Sequence, residues 1–337
     1  MSETKSNDRC GALLFLHAQT ALHPGSGTAL GVVDLPVQRE RHTDWPIIPG
    51  SALKGILRDA CREKAKANYL EPSNEEDEKE KSLTPRQRAN ERVPDLLAAF
   101  GPGKIVANET AFAGAISVTD ARILAFPVRS LRGVFAWVTC PTVIERLNRD
   151  LALAGLEPVQ SLPKLDDSQR EQAACDKQSP LLVQDGNARK LVLEEFEFTW
   201  VAEAEGVAAW LAMLAGRETL SAEFIKKRVV VLQDDDFCHF VRHATEVVAR
   251  IGLEYEKKTV NQGALFYQEF LPAETMFYSV VLARGSRYDK HPAEPAKILK
   301  YIEETVKQVK FLQIGGDETI GKGICAVRLV NGKEGTQ

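Results

Sequence analysis

Long apolar runs and closely spaced cysteines are both missing from this 337-residue sequence. No apolar stretch reaches the ~18 residues that a membrane-spanning helix requires, so an integral membrane protein is not expected. The first nine residues are polar and carry both charge signs, which is unlike a secretory signal. None of the six cysteines forms a CxxC pair, which argues against a zinc ribbon and predicts reduced thiols in a cytoplasmic protein.

An excess of positive charge is also lacking. The chain has 43 Lys and Arg residues against 47 Asp and Glu residues, for a net charge of −4. Proteins that bind nucleic acid over much of their surface are usually basic, so RNA binding here would require the cations to be gathered on one face. The hydrophobic fraction of 44% and the charged fraction of 27% are ordinary for a globular protein, which excludes a mainly disordered chain.

Strand and helix patterns are mixed along the chain. Short apolar runs predict strands at 11–21, 112–118, 124–128, 134–138, 190–200, 228–232, 265–270 paired with 276–283, 311–314 and 324–330. Helical spacing of apolar residues predicts helices after Ser51 and over 144–154, 206–216, 237–251 and 298–308. Because strands do not alternate strictly with helices, the sequence predicts an α+β fold rather than a doubly wound parallel sheet.

Two segments contain few large apolar residues. Residues 62–94 mix charges of both signs, as in SNEEDEKEKS and RQRANER, and this composition predicts a solvated insertion. Residues 157–187 are polar and are interrupted by prolines, which predicts a long loop or a second insertion.

The helix predicted after Ser51 carries cations along one side. Lys54, Arg58 and Arg62 stand at positions i, i+4 and i+8, and Ser51 is the expected N-cap. Free amides at the start of a helix can bind an anion. An extended segment just upstream adds further cations: Arg39, Arg41 and His42. This pattern fits a phosphate-binding surface, but it also fits an ordinary solvated helix face.

Two residues between the first strand and this helix have catalytic chemistry. Asp34 is a lone carboxylate in a loop otherwise built of Gly, Val, Leu and Pro, and a carboxylate can hold a divalent metal or accept a proton. His23 begins the turn HPGSG and is a candidate general acid or base, or a phosphate contact. Each of them also has an ordinary interpretation as a turn residue.

A glycine-rich loop lies near the C-terminus. Residues 316–322 match GxxxxGK, but a P-loop is rejected because Gly323 stands where a Ser or Thr would bind Mg²⁺. Two adjacent acids would also repel a triphosphate, and the following segment ICAVRLV has the pattern of a strand rather than a helix. The loop instead predicts a turn in which the backbone at Gly315 and Gly316, together with Lys322, approaches a polyanion.

A histidine pair offers a different chemistry. His239 and His243 stand one helical turn apart, a spacing that allows a metal pair. The sequence HFVRH lacks the glutamate of HExxH, and two ligands do not make a zinc site. A metallohydrolase is therefore kept only as an alternative.

Long stretches of the sequence resemble one family. Residues 23–59 (HPGSGTALGVVDLPVQRERHTDWPIIPGSALKGILRD) closely resemble the opening of the RAMP-superfamily backbone subunit of the type III-B CRISPR effector, the Cmr complex. Further similar segments are 112–141, 192–198 and 263–278, and the loop LQIGGDETIGKG at 312–323 resembles the RAMP signature loop. The similarity extends over nearly the whole chain apart from the two polar segments.

The resemblance implies a single RAMP domain over 10–337, with an RRM-like, ferredoxin-type palm, a thumb hairpin and finger insertions. The implied division is as follows: palm at about 10–61, 101–156, 190–254 and 273–330, charged insertion at 62–100, polar insertion at 157–189, and thumb hairpin at 255–272.

The resemblance also implies a function. A member of this family binds guide RNA, stacks in several copies and cleaves the bound target RNA at regular intervals, by attack of a 2′-hydroxyl with a divalent metal, magnesium or manganese. The implied partners are the guide RNA, the complementary target RNA, further copies of the chain in a helical stack and other Cmr subunits, with no membrane. A non-catalytic RNA-binding scaffold stays open as an alternative.

Site residues follow from the same resemblance. The family's catalytic aspartate falls on Asp34, which is also the implied metal ligand, and its loop histidine falls on His23. The family also uses an acid and a tyrosine near the later hairpin, and the candidates for these roles here are Tyr267, Glu269 and Glu274. The RNA contacts inferred from the residues and from the resemblance together are Arg39, Arg41, His42, Ser51, Lys54, Arg58, Gly315, Gly316 and Lys322.

Overall fold

The main sheet is built around strand β1 (Arg9–Ala18), which lies between two other strands and contacts three helices. Every residue from Ala12 to Ala18 is buried, which explains why this strand reads as a continuous apolar run rather than an alternating one. The structure is a computed structural model, and it describes the following residues: 9–29, 31–69, 82–103, 111–166, 169–216 and 220–332.

The elements follow one another in a mixed order. After β1, the strands are β2 (Ile47–Ile48), β3 (Ile116–Val118), β4 (Ala121–Arg129), β5 (Phe135–Thr139), β6 (Gln172–Cys175), β7 (Val183–Asp185), β8 (Ala188–Leu193), β9 (Phe196–Ala202), β10 (Val229–Leu232), β11 (Glu246–Leu253), β12 (Val260–Phe270), β13 (Met276–Arg284), β14 (Phe311–Gln313) and β15 (Ile324–Val330). The helices are α1 (Gly50–Lys66), α2 (Pro85–Arg92), α3 (Pro94–Phe100), α4 (Pro141–Ala154), α5 (Glu205–Ala215), α6 (Ala222–Lys226), α7 (Asp234–His243) and α8 (Pro295–Val309).

Four antiparallel strands form the palm. Their spatial order is β15-β1-β13-β4, and since these are the fourth, first, third and second of the set in chain order, the arrangement is that of a ferredoxin-type βαββαβ unit. Helix α1 lies between the first and second of these strands in sequence, α8 lies between the third and fourth, and the two helices contact each other. The expected α+β class with an RRM-like palm is confirmed.

The palm sheet continues beyond β4 on one side. Strands β5, β10, β6, β9, β8 and β7 follow in that order, with β10 parallel to β5 and β6 parallel to β9. Strands β11 and β12 pair only with each other among the described strands and form a separate hairpin. Over the described ranges, no helix is both long and apolar enough to cross a membrane.

The predicted helix over 237–251 is wrong in its second half. Helix α7 ends at His243, and Val247, Val248 and Ile251 belong to strand β11, where they are 49%, 40% and 52% exposed. These β-branched residues continue the helical spacing by coincidence. Valine and isoleucine favour extended backbone, and pairing with β12 decides the conformation.

Two other strand predictions need correction. The predicted strand 190–200 is two antiparallel strands, β8 and β9, because the chain turns back at Glu194, which has a positive φ of 49°. The predicted pairing of 265–270 with 276–283 is also wrong. Strand β12 pairs with β11, whereas β13 pairs with β1, β3 and β4.

The two polar segments contribute to the fold at their ends. Helix α1 continues to Lys66, and α3 buries its residues from Leu96 to Phe100, so parts of 62–100 belong to the core; residues 70–81 lie outside the described residues. Within 157–189, strand β6 is fully buried in the sheet. The hairpin runs from Glu246 to Phe270 and thus begins before the expected 255–272. The division into palm and insertions stays a prediction.

Candidate functional site

The loop that contains Asp34 lies along strand β12 at the base of the hairpin. The amide of Leu35 donates to the carbonyl of Tyr267 at 3.0 Å, and the carbonyl of Leu35 accepts from the amide of Glu269 at 3.0 Å. The amide of Tyr267 donates to Oδ2 of Asp34 at 2.7 Å. Asp34 is therefore held in a fixed position by one carboxylate oxygen, and its side chain is half-buried rather than enclosed.

A buried ion pair holds this loop against strand β12. Glu269 is 6% exposed, and its two oxygens accept from Nη2 of Arg39 at 2.6 Å and from the amide of Val37 at 2.9 Å. The Arg39 guanidinium also donates to the carbonyls of Asp44 and Val241. Both side chains are thus engaged within the protein, where a charge needs such partners to be tolerated.

His23 connects the same hairpin base to the glycine loop. Its Nδ1 donates to the carbonyl of Glu269 at 2.7 Å, which leaves Nε2 as the acceptor in the neutral ring. Its ring centre lies 5.6 Å from that of Phe270. Its backbone carbonyl accepts from the amide of Gly316 at 3.0 Å. The residue is only 7% exposed, so its first role in the free protein is to join these segments.

The glycine loop (residues 315–323) is shaped by close backbone contact. Gly315 has a φ of +81°, and a Cβ at this position would lie 2.3 Å from the carbonyl oxygen of His23. The Nζ atom of Lys322 lies 5.1 Å from the ring centre of Phe270, the same ring that His23 contacts. His23, Asp34 and Lys322 therefore all contact the base of the hairpin, and the glycine loop is attached there through His23. No local pattern in the sequence predicted this arrangement.

Replacing Gly315 by alanine tests this contact. We expect Gly315→Ala to push the loop away from His23 and to weaken the RNA binding that the family resemblance implies. The left-handed backbone alone costs about 1–3 kcal/mol for a residue with a Cβ. Gly321→Ala is the matched control, because Gly321 has a similar φ of +75° but no atom within 4 Å of its would-be Cβ. Equal changes in the free energy of unfolding and in RNA affinity for the two variants would contradict the role of the His23 contact.

The glycine loop is also tied to both strands of the hairpin. Asp317 accepts from Nη1 of Arg250 at 2.6 Å and from Nε2 of Gln268 at 2.7 Å. Burial acts to raise the pKa of Asp317, but these two hydrogen bonds and the positive charge of Arg250 together outweigh it, so that its pKa lies below the usual 3.8. Its carboxylate is accordingly ionised at neutral pH.

Helix α1 lies elsewhere and begins differently from the prediction. Its N-cap is Pro49 rather than Ser51, and no side chain caps it. The prediction of Ser51 as the N-cap is wrong because the helix starts two residues earlier than that cap implies, at Gly50, which donates its amide to Oδ1 of Asp120 at 2.7 Å. Space also requires glycine at this start, since a Cβ on Gly50 would lie 2.5 Å from the carbonyl oxygen of Val118.

The basic residues of α1 face the protein more than the solvent. Lys54 donates to the carbonyl of Ile116 at 3.0 Å, and Arg58 donates to Oδ1 of Asn90 at 3.1 Å and to the carbonyl of Gly101 at 3.0 Å. Burial, together with a neighbouring cation, lowers the pKa of both residues. These side chains hold α1 against neighbouring segments in the free protein.

The cations upstream of α1 divide into two kinds. Arg39 is held by Glu269, whereas Arg41 is exposed and His42 is 72% exposed at the side chain, with its Nε2 3.7 Å from Glu40. Glu40 is paired with Arg146, and despite burial these hydrogen bonds lower its pKa. Arg41 and His42 are thus the members of this segment that a phosphate can reach.

Of the three hairpin candidates, Tyr267 contacts Asp34, whereas the carboxylates of Glu269 and Glu274 are engaged with other residues. Tyr267 is 41% exposed and contacts Asp34 through its backbone amide. Glu274 sits in the turn between β12 and β13, where its carboxylate lies 2.7 Å from Nε2 of the buried His17. Since Glu269 is enclosed and Glu274 is paired with His17, neither carboxylate is free as the structure stands.

The histidine pair does not form a metal centre with other side chains. The rings of His239 and His243 lie 4.7 Å apart on α7, and His239 packs against Phe196. Within the described ranges, no group of three His, Cys, Asp or Glu side chains is arranged to hold a metal ion. Nothing in the geometry favours the metallohydrolase alternative.

Sequence reasoning missed Arg250 and Gln268 as parts of the site, and it considered Asp317 only as a carboxylate that repels phosphate. The partners are 49 and 67 residues apart in the chain, so no spacing rule brings them together. One usable signal was present, because Asp317 directly follows two glycines in a turn, and aspartate tolerates the left-handed backbone that it adopts there, at φ 65°.

Comparisons with known proteins agree on one family. Residues 15–326 match the model of the RAMP superfamily. The chain is 40% identical over 324 residues to "CRISPR system Cmr endoribonuclease Cmr4" of Pyrococcus furiosus, covering 94% of this chain and 95% of that one. A crystal structure of oligomeric Cmr4 from the same organism aligns with a TM-score of 0.63 and 32% identity, over 95% of this chain and 98% of the other.

A further solved structure shows the fold alone. A chain of the type III-B Cmr-beta complex bound to cognate target RNA aligns with a TM-score of 0.63 at 20% identity, over 95% of this chain and 96% of that chain.

Proposed function

Because the chain belongs to the RAMP superfamily, we propose that it is a guide-RNA-binding backbone subunit of a type III-B CRISPR ribonucleoprotein and that it cleaves the bound target RNA. The relative at 40% identity is named an endoribonuclease of the Cmr system and covers nearly the whole chain. The observation that carries the proposal is the placement of Asp34: a tethered, half-buried carboxylate at the base of an exposed hairpin, whose Phe270 ring contacts both His23 and Lys322.

The nucleophile in this reaction belongs to the RNA. The 2′-hydroxyl of a target ribose attacks the adjacent phosphorus, the bond to the 5′-oxygen breaks, and the products are a 2′,3′-cyclic phosphate and a 5′-hydroxyl. Asp34 accepts the proton of the attacking hydroxyl through the carboxylate oxygen that Tyr267 does not use, and water supplies the proton to the leaving oxygen. DNA lacks this hydroxyl, which explains a preference for RNA.

In our proposal, cations around the hairpin base and on the loop after Asp34 hold the phosphates. Lys322 is the cation of the glycine loop, and in our proposal the backbone at Gly315 approaches the polyanion beside it. The amide of Gly316 already donates to the carbonyl of His23, so Gly316 acts by holding the loop in place. Arg41 and His42 are exposed on the loop that follows Asp34. Lys54 and Arg58 contribute to guide binding in our proposal only after RNA replaces their present protein partners, and Arg39 acts by holding Glu269.

A divalent metal fits this site only if Asp34 and the RNA bind it together. Asp34 offers one carboxylate oxygen, and Mg²⁺ is commonly held by one or two carboxylates together with substrate phosphates and water. Asp34 would be its protein ligand through the oxygen that Tyr267 does not use, as an alternative to accepting the proton, with RNA and water completing the set. When bound, Mg²⁺ or Mn²⁺ supplies positive charge that stabilises the phosphate as it reacts.

The hairpin has the surface expected of a segment that contacts RNA or a neighbouring copy. Apolar side chains project from one of its faces, with Ile251 52%, Leu265 53% and Tyr267 41% exposed. Exposed apolar side chains gathered on one face are typical of an interaction surface. In our proposal the hairpin of one copy inserts against the guide–target duplex and splays a base, which bends the backbone toward in-line attack.

The partners follow from the same assignment. They are guide RNA, complementary target RNA, further copies of the chain in a helical stack and the other Cmr subunits. The relative crystallised from P. furiosus is described as oligomeric, and the Cmr-beta complex was solved with cognate target RNA. A cytoplasmic location belongs to this proposal as well.

Cleavage by the reconstituted assembly is the direct test. The complex of this chain with guide RNA and the other subunits should cut labelled complementary RNA under single-turnover conditions with Mg²⁺, at evenly spaced positions and with cyclic-phosphate ends. A scaffold without catalysis would bind the same target tightly and yield no product. A product with a 5′-phosphate would contradict attack by the 2′-hydroxyl.

Replacing Lys322 tests the phosphate contact. We expect Lys322→Ala to weaken guide binding and to reduce the slope of log affinity against log salt by about 0.7, the value for one contact with a single strand. Lys300→Ala is the control, because Lys300 is 73% exposed on α8. Filter binding over a salt series measures both slopes, and an unchanged slope for Lys322→Ala would move the guide path away from this loop.

A further inference from the structure

Three polar side chains form a closed set of hydrogen bonds between the glycine loop and the hairpin. Arg250 Nη1 lies 2.6 Å from Asp317 Oδ1 and 2.7 Å from Gln268 Oε1. Gln268 Nε2 lies 2.7 Å from Asp317 Oδ2. Arg250 comes from β11 and Gln268 from β12, so one aspartate of the loop holds both strands. We call this set the Asp317 clamp.

The clamp is buried enough for its hydrogen bonds to contribute to stability. Gln268 is 4% exposed, and the side chains of Asp317 and Arg250 are 18% and 29% exposed. Hydrogen bonds that involve a charged partner are stronger than neutral ones, and they strengthen further away from bulk water. Removing one member leaves the others with unpaired polar groups in this sheltered site.

The clamp stands between the two halves of the proposed site. On one side, Gly316 donates to the carbonyl of His23 and Lys322 donates its amide to the carbonyl of Asp317, so Asp317 lies inside the loop that would hold RNA. On the other side, the backbone of Gln268 pairs with that of Leu35 in a parallel β-bridge, and Leu35 is the residue next to Asp34. A shift of the loop is therefore passed through Gln268 to the segment that carries Asp34.

The hairpin needs such an anchor. A two-stranded hairpin alone is at best marginally stable in water, and β11 and β12 pair only with each other among the described strands. Leu35 and Glu269 attach β12 to the loop of Asp34, whereas Arg250 attaches β11 to Asp317. The clamp thus fixes the second strand as well as the first.

We propose that Asp317 is a positioning residue that couples the glycine loop to the hairpin, so that RNA held on the loop sets the hairpin and Asp34 against the target strand. This inference rests on the proposed function for its effect on cleavage. The mechanical part, that Asp317 orders the hairpin, holds for the protein without RNA.

An exchange of charge between two positions tests the clamp. Asp317→Asn keeps a residue that tolerates the left-handed backbone but removes the charge and turns one acceptor into a donor that faces Gln268. Gln268→Glu brings a second carboxylate to 2.7 Å from the first. The double variant Asp317→Asn with Gln268→Glu restores one carboxylate for Arg250, and the amide group introduced on the glycine loop can donate to that carboxylate.

We expect each single variant to lower the single-turnover cleavage rate of the guide-loaded assembly about tenfold, as for loss of one charge-assisted hydrogen bond. The double variant should recover most of that loss. Glu318→Gln is the matched control, because Glu318 is the next residue, also acidic, and exposed. It should cleave at the wild-type rate.

Hydrogen exchange of the full chain without RNA separates the two proposals. The single variants should speed amide exchange over residues 246–270, and the double variant should slow it again. If the wild-type assembly does not cleave but this exchange pattern is found, the proposed function fails and the clamp stands. Unchanged exchange and cleavage in Asp317→Asn, or no recovery in the double variant, would overturn the clamp.

Discussion

Asp34→Asn abolishes target cleavage while guide binding and assembly stay at wild-type levels; this is the largest effect that we expect. Asparagine keeps an oxygen that accepts from the amide of Tyr267, so the loop stays in place, but the side chain can no longer take a proton or hold a metal. Loss of a general base lowers a rate by about 10²–10⁴-fold. Single-turnover cleavage of labelled RNA by the reconstituted complex measures it.

A distant carboxylate provides the comparison for Asp34. Asp289 is exposed in the segment between β13 and α8, beyond the strand end opposite the hairpin, and Asp289→Asn should cleave normally. Guide affinity and sedimentation of the assembly confirm that neither variant is impaired in binding. Cleavage by Asp34→Asn at the wild-type rate would remove Asp34 from the reaction and leave the chain as an RNA-binding scaffold.

Glu269→Ala should give the largest loss of stability. Its carboxylate is 6% exposed and holds Arg39, whose side chain is 15% exposed, together with the amide of Val37. Removing one partner of a buried ion pair leaves an uncompensated charge and costs about 3–5 kcal/mol. That is a large share of the ~5–15 kcal/mol that stabilises a typical protein, and urea unfolding measures the difference.

A double-mutant cycle tests whether the stability that Glu269 provides comes from its ion pair with Arg39. We expect the double variant Glu269→Ala with Arg39→Ala to be less destabilised than the sum of the two single variants, because no unpaired charge is left behind. Glu254→Ala near the hairpin tip, where the carboxylate is 42% exposed beside Lys257, should cost about 1 kcal/mol or less. Additive effects of Glu269→Ala and Arg39→Ala would contradict the ion-pair role.

The secondary structure was easier to predict from the sequence than the availability of charged side chains for RNA. Most strands and helices were found from their apolar spacing, because a strand or helix shows its buried face within a few residues. The helix over 237–251 failed because Val247, Val248 and Ile251 follow a helical spacing although they are exposed in a hairpin. Their partners in β12 lie on the other side of the hairpin tip, beyond the reach of a local pattern.

Charged residues could be named from the sequence, but their availability could not. Lys54 and Arg58 form a regular basic stripe on α1, yet the structure joins them to Ile116, Asn90 and Gly101. Whether a cation meets a phosphate or a carbonyl oxygen depends on which segments pack against it. The burial that lowers the pKa of both residues arises from those same segments.

The sequence by itself determined the α+β class, through its mixture of apolar periodicities, and it singled out Asp34, His23 and the glycine loop as the segments with chemistry. Only the tertiary structure decided that these segments meet at the hairpin base, that Glu269 and Arg39 neutralise each other there, and that Asp317 holds both hairpin strands. The physical reason is range. Backbone preference and side-chain periodicity act over a few residues, whereas ion pairs and hydrogen bonds between residues as distant in the chain as Gln19 and Ile324 depend on the completed fold.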